Sequence, residues 1–252
     1  MSLRNLLLRT VALVALAAGV AGRAAGDEAK IRAAIEPKLG GGKIEGVQAT
    51  PVPGIFEVRV QGREGPQIFY TDAQGQYVFT GHLVDAKSDR NLTEERMQKL
   101  TAIDFKSLPL DLAVKIQRGS GRRQLAMFTD PYCPYCRKLE QDLLQIDDIT
   151  VYVFMYPVIR PQNADHSRAV WCSRDRVKAW LELAAAEQPK VPTGSTSCAN
   201  PVDKIVEFGR SLRINGTPTL FFANGERSGG GMPLGVLRSK LDEVARQAQK
   251  KN

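Results

Sequence analysis

The chain has 252 residues, 43% of them hydrophobic and 25% charged, so one or two packed domains fit and wholesale disorder is excluded. Of its formal net charge of +8, three positive charges (Arg4, Arg9 and Arg23) fall in the first 26 residues with no acid to offset them, leaving +5 for the rest. That excess is not organised as clustered Lys/Arg with interleaved aromatics; Arg122-Arg123 and Lys250-Lys251 are too small to predict nucleic-acid binding, and solvated faces account for it.

Residues 1–26 read as a targeting segment. Arg4 and Arg9 flank an apolar core, Val11 to Val20, and small residues follow to Gly26, where cleavage is one reading. The apolar run is shorter than the ~20 residues of a bilayer span; an uncleaved anchor is the alternative. The mature chain is therefore expected to be soluble and exported, and hence in an oxidising compartment where disulfides persist.

Residues 27–88 read as a small α+β domain. Ile31, Ile35 and Leu39 recur every four residues, which predicts a helix over Asp27 to Lys38, ended by Gly40-Gly41-Gly42. Strands are predicted over Ile55 to Val60, Gln67 to Thr71 and Gln76 to Val84, the last two joined by a turn at Asp72-Ala73-Gln74-Gly75. A unit this small buries little surface and leaves sheet edges open. Pairing with a second copy answers both problems, and packing on the rest of the chain answers them too. Asn91-Leu92-Thr93-Glu94 resembles a capping box opening a mostly polar helix to Ala102, so residues 89–108 read as a linker helix.

Residues 109–252 form the second predicted domain, opened by Leu108-Pro109-Leu110-Asp111. A strand over 123–129 runs into Cys133-Pro134-Tyr135-Cys136, then a helix over 134–146 and a strand over 149–155. A long helical region follows over 163–188, with Asn163 as N-cap, and Pro189 and Pro192 end it. Asn200-Pro201 opens another helix. Thr219 to Phe222, Asn224-Gly225 and Glu226 to Ser228 read as a hairpin, and a last helix carries Leu237, Leu241 and Val244.

The two cysteines of the Cys-x-x-Cys thus sit where a strand ends and a helix begins. A thiol at a helix N-terminus meets unpaired N–H groups and partial positive charge, which favour the thiolate, the species that attacks disulfides. Cys133 is expected to be the exposed nucleophile and Cys136 the shielded resolving thiol. Half of a structural zinc site is the alternative, but Cys172 and Cys198 are far apart in sequence and His82 and His166 form no paired motif, so no metal is predicted. Cys172 and Cys198 are expected to form a structural disulfide closing a loop rich in Pro, Gly and Ser/Thr; a second redox pair is the alternative.

The element order resembles a thioredoxin-type fold with a helical insertion. Gly216-Thr217-Pro218-Thr219 adds to the likeness: in such folds the proline before the hairpin strand is cis and lies against the reactive cysteine. Thr217 and Pro218 are therefore expected to bind substrate, the backbone of Thr217 pairing with an extended client strand.

With Phe128-Thr129-Asp130-Pro131-Tyr132-Cys133-Pro134-Tyr135-Cys136, Val170-Trp171-Cys172-Ser173-Arg174-Asp175 and Gly216-Thr217-Pro218 in place, the chain resembles the DsbC/DsbG family of periplasmic protein disulfide isomerases over nearly all of its mature length. The resemblance implies a homodimer joined through the N-terminal domains, an apolar cleft between two active sites, misoxidised or unfolded exported clients, no cofactor, and reduction by a membrane thiol reductant of the DsbD type. Pro134-Tyr135 matches DsbG, where DsbC has Gly-Tyr; the Cys172/Cys198 pair matches DsbC. The resemblance thus implies isomerase and reductase activity, with reduction of sulfenylated cysteines and a thiol-independent dimeric chaperone as alternatives.

Overall fold

The computed structural model describes residues 26–62 and 65–249, which form two compact units divided between Leu100 and Thr101. The targeting segment expected over residues 1–26 lies, Gly26 apart, outside the described residues.

The first unit opens with helix α1 (26–35) and a 3-10 turn, Glu36–Lys38. Strands β1 (Lys43–Ala49), β2 (Ile55–Gly62), β3 (Gly65–Asp72) and β4 (Val78–Phe79) then pair antiparallel in that order. Ile31 and Ile35, four apart on α1, bury against Ile44, Val58, Val60 and Phe69, the helical and strand periodicities meeting in one core. In the β3–β4 turn, Asp72 Oδ1 accepts the N–H groups of Gln76 (2.8 Å) and Tyr77 (2.9 Å). Gly75 has φ +68°, and a Cβ there would lie 2.8 Å from Ala34 Cβ, so conformation and packing both require glycine.

The strand expected over Gln76 to Val84 breaks into β4 and a separate β5 (Val84–Asp85), which pairs with β6 (Arg90–Asn91). Gly81, at φ +134°, interrupts the extended run. Helix α2 (Leu92–Leu100) is capped by Asn91, whose Oδ1 accepts the Glu94 N–H at 3.0 Å. Read from sequence as a connecting rod, α2 packs on the first unit: the Thr93 and Tyr70 hydroxyls are hydrogen-bonded, and Arg96 reaches the buried Glu57 at 3.3 Å.

The second unit contains β7 (Val114–Arg118), β8 (Arg123–Thr129), α3 (Pro134–Leu143), β9 (Ile149–Met155), α4 (Ala164–Cys172), α5 (Arg176–Ala184), α6 (Val202–Ser211), β10 (Thr219–Phe222), β11 (Arg227–Gly229) and α7 (Leu234–Gln249). The sheet order is β11-β10-β8-β9-β7. Only the β8–β9 pair is parallel, and α3 supplies the crossover that a parallel pair needs. Leu125 and Met127 of β8 join one core cluster with Leu139, Trp180 and Leu241. Ala126 and Phe128 join another with Phe154, Tyr156 and Phe221. Being buried on both faces explains the unbroken apolar run of β8 and fixes the end of the strand from which the cysteines follow.

The helical region expected over 163–188 is two helices. The chain turns extended at Ser173 (ψ 146°) and restarts at Asp175, whose side chain accepts the Lys178 N–H at 2.9 Å. Asn163 makes no side-chain cap bond, and Pro201 stands at the N-cap of α6 rather than inside it.

Candidate active site

Cys133 is the N-cap residue of α3 and Pro134 its first residue, where the missing N–H costs no intrahelical bond. The Cys136 N–H donates to Cys133 Sγ at 3.4 Å, and Cys133 Sγ–H donates to the Thr217 carbonyl at 3.3 Å. Cys133, Cys136 and Thr217-Pro218 therefore meet at one place, and the Thr217–Pro218 peptide bond is cis. Both thiols are free. Among the described residues no group of three or more His, Cys, Asp or Glu could hold a metal ion.

One expectation needs correcting. Cys133 is not exposed: it is 4% accessible, against 1% for Cys136. The Thr217 carbonyl contacts its sulfur, while the next two residues, Pro134 and Tyr135, are exposed, the latter 77%. The two thiols still differ. Burial pushes the Cys136 thiol up to about 12, although the Thr217 and Thr129 side chains and the Asp130 backbone N–H act in the opposite direction. At neutral pH the Cys136 thiol is thus almost wholly protonated.

The loop ahead of Cys133 is held by a residue given no role from sequence. Asp130 is fully buried. Its Oδ1 accepts the Tyr132 N–H and its Oδ2 the Ile159 N–H, both at 2.8 Å, while its carbonyl accepts the Cys133 N–H at 3.0 Å. A short acid bonding the backbone two residues on is an Asx turn; Asp-Pro just after a strand was the available signal. The partner N–H at Ile159, in the irregular segment after β9, had no signal in the sequence. The Tyr132 hydroxyl is hydrogen-bonded to His166 Nδ1 on α4, and the Arg160 guanidinium lies 5.6 Å from the Tyr132 ring centroid.

One turn beyond Cys136, Glu140 is buried and accepts the Trp180 Nε1–H at 2.9 Å. Burial raises its carboxyl to about 7, opposed by the Trp180 bond and the charge of Arg118. Cys172, at the end of α4, is disulfide-bonded to Cys198, 26 residues on.

Comparison with known proteins matches both units. A model described as the disulfide bond isomerase protein N-terminal domain matches residues 22–94, and a thioredoxin-like domain model matches residues 110–245. The chain is 40% identical over 198 residues to a probable thiol:disulfide interchange protein DsbC of Bordetella pertussis, covering 79% of this chain and 68% of that one. It is 24% identical over 238 residues to thiol:disulfide interchange protein DsbC of Escherichia coli, covering 92% and 94%. A crystal structure of a disulfide interchange protein from Neisseria gonorrhoeae is similar with a TM-score of 0.52 and 37% identity, covering 55% of this chain and 99% of that one.

Proposed function

We propose that this chain, which belongs to the DsbC family of thiol:disulfide interchange proteins, rearranges non-native disulfides of exported proteins in the periplasm, with Cys133 as nucleophile and Cys136 as resolving thiol. One observation carries the reading: two free thiols lie at the head of α3, one held as its N-cap beside the Thr217 carbonyl, the other buried behind it. The Cys133 thiolate attacks a client disulfide; a bond forms between Cys133 and one client sulfur, and the other client sulfur leaves as thiolate. That released thiolate, or another client thiol, then attacks a different client sulfur, and a last attack on the mixed disulfide returns Cys133: this is isomerisation. Alternatively Cys136 attacks Cys133, the client leaves reduced and the enzyme is left oxidised.

The high Cys136 value favours the first route, because at neutral pH few resolving thiolates exist to end the mixed disulfide early. A client strand seated at Thr217 would take the place of the Cys133 contact on its carbonyl, freeing the sulfur as the client docks. Thr217 and Pro218 are the substrate-binding residues in this reading, and Cys172–Cys198 is structural.

The protein acts as a homodimer joined through the first unit. Exposed Tyr77, Val78 and Phe79 lie on or beside β4, an edge strand of its sheet, exposed Val84 opens β5, and the N-terminal family domain spans them. A membrane thiol reductant of the DsbD type restores the reduced pair. The test is refolding of a protein with scrambled disulfides: the unsubstituted protein should accelerate recovery of native activity, and Cys133→Ala should not. Equal acceleration by both would overturn the assignment.

A further inference from the structure

Two buried hydroxyl oxygens beside the cysteines have no partner. Thr129, the last residue of β8, is fully buried; its carbonyl accepts the Tyr156 N–H at 2.8 Å, and it stands in register with Met155. Neither its hydroxyl nor that of Thr217 has a hydrogen-bond partner among the described residues. Buried polar groups left unpaired are uncommon and need a reason. Here both hydroxyls, with the Asp130 backbone N–H, act on the Cys136 sulfur. A thiol sulfur is a weak acceptor, so the protonated state offers them little; a thiolate is a charged acceptor and completes both. With both cysteines as free thiols, both hydroxyls stand without a partner.

We propose that Thr129 is a positioning residue for the resolving step, its hydroxyl held at the end of β8 to donate to the Cys136 sulfur as that sulfur loses its proton. The inference rests on the reading of Cys133 as nucleophile. In this step Cys136 gives its proton to water and its sulfur bonds to that of Cys133. The Cys133–client bond breaks, and the electron pair leaves with the client thiolate, which is then protonated. Two enzyme thiols are oxidised as one client disulfide is reduced, so no further oxidant is needed. By shortening the life of the mixed disulfide, Thr129 shifts the outcome from rearrangement towards reduction.

The probe is dithiobis(nitrobenzoate), followed by stopped-flow absorbance. A first thionitrobenzoate is released when Cys133 attacks, a second when Cys136 resolves the adduct. In Thr129→Val the ratio of second to first rate constant should fall about tenfold, the size expected for a lost hydrogen bond to a charged group. Thr129→Ser, which keeps the hydroxyl, should hold the ratio within about twofold; Thr129→Ala takes the place of the valine variant if that does not fold. An unchanged ratio without the hydroxyl, or a fall that the serine variant shares, overturns the proposal. Absence of the first release in the unsubstituted protein overturns the nucleophile reading itself, and this inference with it.

Discussion

The second unit holds four cysteines in two pairs that differ in everything but the element. Cys133 and Cys136 are reduced, three residues apart, at the head of a helix, with backbone groups at the Cys133 sulfur and hydroxyls acting on that of Cys136. Cys172 and Cys198 are bonded across 26 residues, joining the end of α4 to an irregular segment before α6. A sulfur at a helix head, with donors near it, is set up to change partners. A sulfur that closes a long loop restricts the unfolded chain and has no such donors to act through. Environment, rather than residue type, thus divides the free pair from the cross-link.

Breaking each pair separately should show the contrast at full size. Cys133→Ala should remove all thiol–disulfide exchange by the enzyme, while Cys136→Ala should still attack and accumulate mixed disulfides, visible on non-reducing gels. The double variant Cys172→Ala/Cys198→Ala should keep first-release kinetics but lose about 3–4 kcal/mol of stability in urea, the loop-entropy value for a closure of this length. If removing the second pair abolished exchange and left stability intact, the division of roles would be reversed.

A subtler test lies under the reduced pair. The folded protein holds the Glu140 proton up to about pH 7, whereas the ordinary value is 4.5. Between those values the native state binds more protons than the unfolded chain, so this group lowers stability as pH rises. The full effect is at most about 3 kcal/mol, reached above pH 7. Glu140→Gln keeps an acceptor for the Trp180 N–H and cannot ionise. Its stability relative to the unsubstituted protein should therefore rise between pH 4.5 and 7.5, measured by urea unfolding; a difference independent of pH would show that Glu140 is not the buried acid described.

The contrast between the pairs was partly legible in the sequence. The strand-to-helix Cys-x-x-Cys, the runs of β8 and β9, and the hairpin after Pro218 are local patterns, carried by contiguous residues with a clear period. β1 escaped because a register shift between Ile44 and Gly46 breaks its alternation. β7 is five residues long with only Val114 and Ile116 buried, too short a run for its alternation to stand out. The near-equal burial of Cys133 and Cys136 was also invisible, because it depends on Thr217, 84 residues later. The Asp130 anchor to Ile159 and the Thr129 hydroxyl are likewise matters of what lies opposite, and sequence spacing records only what lies alongside.

The smallest effect asks whether the two pairs are coupled at all. Helix α4 carries His166 in its first turn and ends at Cys172, so the Tyr132–His166 bond links the neighbour of Cys133 to the helix that the disulfide fastens. Tyr132→Phe deletes that bond yet keeps the ring under Arg160, and with it the cation–π contact. The three Asp130 bonds, to the Tyr132, Ile159 and Cys133 N–H groups, remain, so the loop is still tied by three of its four anchors. Loss of one partly exposed side-chain bond should lower stability by about 1 kcal/mol and slow first release by less than about fivefold, the same energy expressed as a rate. The informative measurement is the cycle with Cys172→Ala/Cys198→Ala. Additive effects on first release mean that the cross-link only stabilises the fold; a coupling above about 0.5 kcal/mol means that α4 transmits the state of the second pair to the loop that holds Cys133.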